Sequence, residues 1–534
     1  MNRILLVSIF IFHTISLSAQ SRYMVFFKDK INSPWTVNNP SQFLSAKSLQ
    51  RRQKQGISVE ESDIPVNPSY ISGVAATGAE VFYTTRWLNG LLVQSTPTIN
   101  SLITALPYVD HVDYVAPGAP LMVGGRVDYS QQKMGTEEER TYFQNDMIGI
   151  QNMHDEGYMG NGIEIAVIDV GFEGVNTAGA FSDLLLSGRI LSTFDYVTNS
   201  GNVYHYPPHG TIVLSTMAAT ISGSFTGASP GASYHLFVSE DNFSEYRVEE
   251  YNWLFAAEKA DSLGADIITS SLGYFDFDDP SMNYQHDDLD GKTAVITRAA
   301  DMAASRGILV VTSAGNQGDK TWGKITFPSD CFYCIAVGSV TADREISAFS
   351  SRGATADNRL KPDVVTMGSG VAVINPDNSV SGKSGTSLAA PQIAGLMAGV
   401  MEAFPNYTVA EWLTILKQSA DRAYAPDNTY GYGIPHFMAI KNYLGVNPQE
   451  LPLAVYPNPV WNKELHFKVK DPNKTHQAGY KLFDIQGQLV SEGEMHFSWL
   501  YTERIFSVQT LKAGMYILSV LTESEVLKMT IMIR

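Results

Sequence analysis

Ile165-Ala166-Val167-Ile168-Asp169 is the stretch that decides the fold. An apolar, β-branched run without polar alternation reads as a strand covered on both faces, the pattern of a parallel sheet. It delivers a carboxylate at its C-terminal edge. Similar runs at 265–271, 308–312 and 334–340 alternate with helical patterns at 247–263, 293–306, 388–403 and 408–420. Such alternation predicts an α/β domain whose parallel sheet carries helices on both faces. Two further segments follow Asp169. His209-Gly210-Thr211 stands behind Pro207-Pro208 and opens an Ala-rich helical stretch. In Gly385-Thr386-Ser387-Leu388-Ala389-Ala390-Pro391 a Gly-Thr turn puts Ser387 at the positive end of a small-residue helix. A carboxylate, an imidazole and a hydroxyl at element ends are the parts of nucleophilic acyl transfer. Taken singly, Asp169 reads as a strand-end hydrogen-bonder and Ser387 as a helix N-cap. His205 rivals His209 but lacks the Gly-Thr behind it.

Chain order separates the alternatives. An α/β-hydrolase shows Gly-x-Ser-x-Gly and the order Ser, Asp, His, whereas here both partners precede the serine. At all three segments the chain resembles the subtilisin-like serine peptidases, with Leu388 in place of the family's usual Met, a volume-conserving change. Leu309-Val310-Val311-Thr312-Ser313-Ala314-Gly315-Asn316 is similar to the family's segment whose Asn side chain donates to the oxyanion. The resemblance therefore implies that Asn316 pairs with the Ser387 N–H, that Asp169 orients His209, and that His209 is the base for Ser387. Asp266-Ile267-Ile268-Thr269-Ser270-Ser271-Leu272-Gly273 looks like the strand lining the primary specificity pocket. It makes Ser271, Leu272 and Gly273, with Ser313, Ala314 and Gly315, the expected substrate-binding residues. Gly227-Ala228-Ser229-Pro230-Gly231-Ala232 resembles the family's Gly-Val-Ala-Pro turn, with Ser229 where Ala is usual. The activity implied is that of an endopeptidase on protein or peptide substrates, requiring no cofactor. A degenerate, non-enzymatic scaffold is disfavoured because all four implied catalytic residues are in place.

The chain's formal charge is −17, and it is unevenly spread. Residues 146–445 hold 16 Lys and Arg against 34 Asp and Glu, while 21–145 (11 against 11) and 446–534 (9 against 9) are neutral. The acidic middle argues against nucleic acid or an anionic membrane as partner. Residues 1–20 read as an export signal: Arg3, the apolar run Ile4–Ile15, then the small residues Ser16-Leu17-Ser18-Ala19. The run 388–404 is too short and carries Pro391, Gln392 and Glu402, so it reads as a buried helix rather than a membrane span. Cys331 and Cys334 are the two cysteines. An extended path between them would hold the Cα atoms about 10 Å apart, beyond bridging reach, whereas a tight turn at Phe332-Tyr333 would permit a local disulfide. The acidic loops Asp276, Asp278, Asp279 and Asp287, Asp288, Asp290 have carboxylates at alternate positions but no loop glycine or closing Glu at the spacing of a Ca²⁺ loop. They read as solvated loops, with a structural Ca²⁺ left open.

The organisation expected is a signal over 1–20, a small α+β domain over 21–120, a linker over 121–144, the α/β domain over 145–445 and a small antiparallel β-sandwich over 451–534. In 21–120 the strand candidates Tyr23–Phe27, Glu80–Tyr83, Leu91–Gln94 and Val109–Tyr114 alternate with helix candidates Asn67–Ala76 and Ile99–Leu106. This is the β-α-β-β-α-β plan, with a basic amphipathic segment, Phe43–Gln55, inserted. Its layout is similar to the inhibitory prodomains of the same peptidases; a permanent N-terminal domain is the alternative. Beyond Leu451, evenly spaced short strands follow. Val455-Tyr456-Pro457-Asn458-Pro459-Val460, Leu482-Phe483-Asp484-Ile485-Gln486-Gly487 and Leu511-Lys512-Ala513-Gly514-Met515-Tyr516 resemble the C-terminal sorting domains of the Bacteroidetes type IX secretion system. That resemblance implies a partner in the secretion machinery and a location outside the cell or on its surface; an immunoglobulin-like or carbohydrate-binding module is the alternative.

Overall fold

The computed structural model describes residues 20–118, 137–446 and, between 453 and 533, all except 457–459, 461–462, 470–476, 498–502 and 523–525. The expected signal up to residue 19, most of the expected linker and the Pro457-Asn458-Pro459 turn lie outside the described residues.

The N-terminal domain runs β1 (Ser21–Phe27), α1 (Ala46–Lys54), α2 (Pro68–Ala75), β2 (Glu80–Thr85), β3 (Gly90–Ser95), α3 (Pro97–Thr104) and β4 (Val109–Pro117). Its strands form an antiparallel sheet in the order β2-β3-β1-β4, the expected plan with α1 as the insertion. Proline at the first turn and a side-chain cap start both short helices: Asn67 accepts from the Ser69 N–H before α2, and Thr96 from the Ile99 N–H before α3. Strand β1 explains its own unbroken apolar sequence. Val25 and Phe27 point into a small core under α2 and α3, shared with Val74, Leu91, Val93 and Ile103. Met24 and Phe26, on the opposite face, belong with Leu92 and Trp87 to the large core of the following domain. The period-two alternation thus divides one strand between two cores.

In that following domain β5 (Glu164–Asp169), β6 (Ile190–Asp195), β9 (Ser233–Val238), β10 (Ile267–Ser270), β11 (Leu309–Ser313), β12 (Cys334–Val340) and β13 (Val364–Met367) form a parallel sheet in the order β13-β12-β11-β10-β5-β9-β6. Hairpins β7–β8 (Thr220–Ile221, Phe225–Thr226) and β14–β15 (Val371–Ile374, Val380–Lys383) stand beside it. Helices α7 (His209–Ala218) and α10 (Thr386–Ala403) form one layer; α8 (Val248–Leu263) and α9 (Val295–Ser305) form the other. The helices α4 (Glu137–Met147), α5 (Ile150–Asp155), α6 (Ser182–Leu186), α11 (Val409–Ser419) and α12 (Phe437–Val446) complete the domain. Strands β6, β9 and β13 fall outside the runs that the sequence pattern singles out. Edge strand β6 carries Ser192 and Thr193, β13 is four residues long, and β9 is interrupted by His235, whose ring lies 3.0 Å from Glu164 Oε2. Among the described residues no helix is long and apolar enough to cross a membrane. Cys331 and Cys334 are joined in a disulfide with Cα atoms 5.7 Å apart, so the turn, and not the extended path, describes this loop.

The C-terminal domain is a sandwich of two antiparallel sheets. One contains β16 (Leu453–Tyr456), β17 (Glu464–Val469) and β20 (Glu503–Ser507); the other contains β18 (Gln477–Asp484), β19 (Leu489–His496), β21 (Gly514–Thr522) and β22 (Val526–Ile533). Phe467 of the first and Leu482, Leu518, Val520 and Ile531 of the second share one buried core, with period-two alternation along each strand.

Helix α8 is buried almost all round, because the N-terminal domain covers the side turned away from the sheet. Its Asp261 accepts from three arginines of that domain: Arg51, Arg52 Nη2 at 2.8 Å and Arg86 Nη2 at 2.5 Å. Glu258 accepts from Thr85 Oγ1, Arg86 N and Trp87 N. In the reverse direction Arg306 Nε donates to Asp63 Oδ1 of the N-terminal domain at 2.7 Å. Burial pushes the Asp63 carboxyl up, but Arg306 and then Arg52 pull it further down, leaving it below the usual carboxylate range. A carboxylate lowered in the folded state contributes stability that is present above its unfolded value and lost as pH falls through the folded one. Asp63→Asn is therefore expected to be less stable than the parent at pH 7 in urea denaturation. The difference should shrink as pH drops below about 4, the ordinary range for Asp; a difference constant down to pH 2 would contradict the assignment.

Candidate active site

Parallel strands end on the same side of their sheet. Pairing of Ile168 with Ser270, and of Ser270 with Thr312, puts Asp169, Ser271 and Ser313 in the next row, at the C-terminal edge. Asp169 is fully buried there. Its Oδ1 lies 2.6 Å from His209 Nδ1 and accepts the Val170 N–H at 2.8 Å. His209 is the first residue of α7 and 6% exposed. The rival His205 is paired elsewhere, its Nε2 3.0 Å from Asp195 Oδ2 at the end of β6.

Ser387 sits in the first turn of α10, so its N–H is among those a helix leaves without an internal partner. Pro391 has no N–H, which leaves the Ser387 carbonyl without its i+4 donor. Ser271 Oγ supplies the missing donor at 2.8 Å. Asn316 is fixed by the other side of the same turn: its Oδ1 accepts from Thr386 N and Thr386 Oγ1, both at 2.9 Å, which turns Nδ2 away from Thr386. A Cβ added to Gly385 would stand 2.8 Å from Ser387 Oγ and 3.7 Å from both Asn316 Nδ2 and Ser387 N. The hydroxyl and the two N–H donors therefore surround one small space that only glycine leaves open.

Of the six expected substrate-binding residues, Gly273 is exposed, while Ser271, Leu272, Ser313, Ala314 and Gly315 are buried. Sequence reading missed Thr326. A Cβ on Gly273 would meet its Oγ1 at 2.3 Å and one on Gly315 would meet it at 2.7 Å, so the hydroxyl fills the space between the two glycine segments. No local motif marks it; the contact is made by Thr326 N donating to Ala314 O and by the mutual pairing of Tyr274 and Phe327. Three of the acidic-loop carboxylates turn onto their own backbone, while Asp278 accepts the Glu245 N–H. Asp279 accepts the Ser281 N–H, Asp288 the Gln285 N–H, and Asp290 the Lys292 and Thr293 N–H groups. Among the described residues, no three His, Cys, Asp or Glu side chains are grouped to hold a metal ion.

With this geometry in view, comparison with known proteins is informative. The profile of the subtilase family, peptidase S8, matches residues 160–433, just over half of the chain. The chain belongs to that family. The peptidase S8 propeptide domain of Bacteroidota matches residues 22–132, and a secretion system C-terminal sorting domain matches 454–534. Subtilisin amylosacchariticus of Bacillus subtilis subsp. amylosacchariticus is 30% identical over 285 residues, which are 53% of this chain and 65% of that protein. Subtilisin of Bacillus pumilus is 28% identical over 272 residues, covering 50% of this chain and 87% of that protein. The chain thus spans under two thirds of the length of the first of these relatives. A crystal structure of MycP1 from the ESX-1 type VII secretion system aligns with a TM-score of 0.46 and 19% identity, over 60% of this chain and 93% of that one.

Ser271→Ala would leave the Ser387 carbonyl with neither a helical nor a side-chain donor. It is expected to cost about 1–3 kcal/mol, read as a lower denaturation midpoint and restored by Ser271→Thr. An unchanged midpoint would mean that the carbonyl is satisfied by another group.

Proposed function

We propose that the chain is an exported serine endopeptidase. Ser387 Oγ attacks the peptide carbonyl while His209, its Nδ1 engaged by Asp169, takes the hydroxyl proton on Nε2. The tetrahedral oxyanion is held by Asn316 Nδ2 and the Ser387 N–H. Collapse breaks the C–N bond, His209 returns the proton to the leaving amine, and water then hydrolyses the Ser387 ester by the same route. The 2.6 Å contact of His209 with Asp169, at the strand edge that also carries Ser271 and Ser313, is the observation that carries this reading. The segments Ser271-Leu272-Gly273 and Ser313-Ala314-Gly315 would flank the substrate chain, and Thr326 between them would limit the side chain beside the scissile bond. Every proton and charge in this sequence is handled by side chains and N–H groups of the chain itself.

The expected outcome for Ser387→Ala is loss of essentially all peptidase activity; in subtilisin, losing the nucleophile or base costs about 10⁶ in kcat. Asn316→Ala should cost about 10²–10³, the effect known for one oxyanion donor. A fluorophosphonate should label Ser387 and no other serine. Asn316→Ala at the parental rate would remove that residue from the mechanism.

We further propose that residues 21 to about 130 form an inhibitory prodomain and that the C-terminal sandwich addresses the chain to the type IX secretion machinery, delivering it outside the cell or to its surface. The propeptide and sorting-domain matches, and the two independently cored domains that bear them, support this. Cleavage in the segment before Asn145 is expected, so N-terminal sequencing of the secreted enzyme should find a start between about 119 and 145, where the sequence is rich in glycine and polar residues. A start near Ser21 would make the first domain permanent.

A further inference from the structure

The inserted helix α1 docks on the α/β domain by polar chemistry, for the residues it buries are Ser48, Arg51 and Arg52. All three nitrogens of the Arg51 guanidinium donate across the interface. Nε reaches the Arg306 carbonyl at 3.2 Å, Nη1 the Ala265 carbonyl at 2.6 Å, and Nη2 the carboxylate of Asp261. Arg52 Nη2 donates to both oxygens of the same Asp261, at 3.0 and 2.8 Å. Beside them Ser45 N donates to the Ser262 carbonyl at 2.9 Å, Ser45 Oγ to Leu263 O at 2.8 Å, and Gln55 Nε2 to Gly307 O at 2.8 Å.

These acceptors have a common origin. Ser262 and Leu263 end α8 and Ala265 follows it, while Arg306 and Gly307 stand directly behind α9. A helix leaves its last carbonyls without internal donors and carries partial negative charge at that end. Two such ends, together with the carboxylate of Asp261, converge on one guanidinium, whose planar fork of N–H donors matches several fixed acceptors at once. One turn earlier on α1, Lys47 Nζ lies 3.0 Å from Glu164 Oε1 and 2.9 Å from Asp266 Oδ2, so the acidic track continues along the helix. The track lies at the edge of the sheet opposite the catalytic row. Ala265 precedes β10 and Ser271 follows it, and that length of strand spans about 20 Å. With 16 Lys and Arg against 34 Asp and Glu over 146–445, the α/β domain has few cations of its own to cover these groups.

We propose that, once the N-terminal domain has left, this track is an exosite for a basic helix of a protein substrate, one carrying Lys or Arg at a first position and arginines four and five residues on. Helix α1, with Lys47, Arg51 and Arg52, is its occupant in the uncleaved chain. The proposal rests on the reading of residues 21 to about 130 as a prodomain that is removed, and its test separates the two.

The enzyme obtained from the full-length chain is checked by intact mass for loss of the N-terminal domain. Its cleft is then blocked with a peptidyl chloromethyl ketone, and it is titrated with a fluorescein-labelled peptide of residues 45–57, read by anisotropy. Saturable binding is expected. The peptide carrying R51K and R52K should bind about tenfold or more weakly, the weight of a charge-assisted hydrogen bond, since Lys keeps the charge and the helix propensity but lacks the fork. With the unblocked enzyme, a reporter protein ending in the same sequence should be cleaved with a KM about tenfold below that of a reporter ending in the R51K/R52K sequence, at unchanged kcat. No saturable binding, equal affinity for the two peptides, or equal KM for the two reporters overturns the proposal and leaves the prodomain reading intact. An enzyme that keeps the N-terminal domain overturns both. Arginine-dependent binding by an enzyme that cleaves neither reporter overturns the substrate role and the peptidase reading together.

Discussion

Everything in the candidate site depends on the register of three neighbouring parallel strands. Because β5, β10 and β11 run the same way and pair without a shift, Ile168, Ser270 and Thr312 fall in one row, and the residues that follow them, Asp169, Ser271 and Ser313, are presented together. A parallel sheet has this property by construction, which is why α/β folds place their chemistry beyond the carboxyl ends of their strands. The fourth participant, Ser387, comes from a helix rather than a strand. It is brought to the row by two cross-braces, Asn316 to Thr386 and Ser271 to the Ser387 carbonyl. Pro391 makes the second brace necessary. A helix with an ordinary residue there would satisfy that carbonyl internally and leave Ser271 nothing to hold.

Much of this arrangement was legible in the sequence, and the reasons are local. Strand β5 is readable because four consecutive apolar residues are buried. The helices α2 and α3 are readable because each carries its cap and its proline. Ser271 was expected as a substrate contact, and its motif gave the position, but its hydroxyl is directed at a backbone carbonyl that only the folded helix brings near. Thr326 was not legible at all, since its relation to Gly273 and Gly315 exists only after distant strands have paired. The same holds for β6 and β9, where Ser192 and His235 meet each other across the sheet and so break the apolar pattern. The Cys331–Cys334 link turned on two intervening residues, for which an extended and a turned path were both open.

The acidity of the middle of the chain takes on structure in the same way. Composition showed an excess of carboxylates; the fold sorts them. Some cap their own loops, as Asp279, Asp288 and Asp290 do. Others line α8 on two sides: Glu258 and Asp261 meet the arginines of the first domain, while Glu249 faces a cavity. One helix therefore carries both the carboxylates that dock the N-terminal domain and a carboxyl that burial pushes well above its ordinary range. A buried ion network of this type gives little net stability compared with an apolar contact of equal size, but it rejects misaligned partners strongly.

The division of β1 between two cores has a consequence for the life of the N-terminal domain after any cut behind it. Half of its sheet is finished by its own helices and half by another domain, so on departure Met24, Phe26, Leu92 and Trp87 would meet water as one sticky face. Such a fragment has no comfortable existence alone. It stays seated, or it loosens into the kind of extended chain that a peptidase consumes. A domain built in this manner depends on its neighbour for half of its finish: the strand that holds it in place is also the one that leaves it incomplete once released.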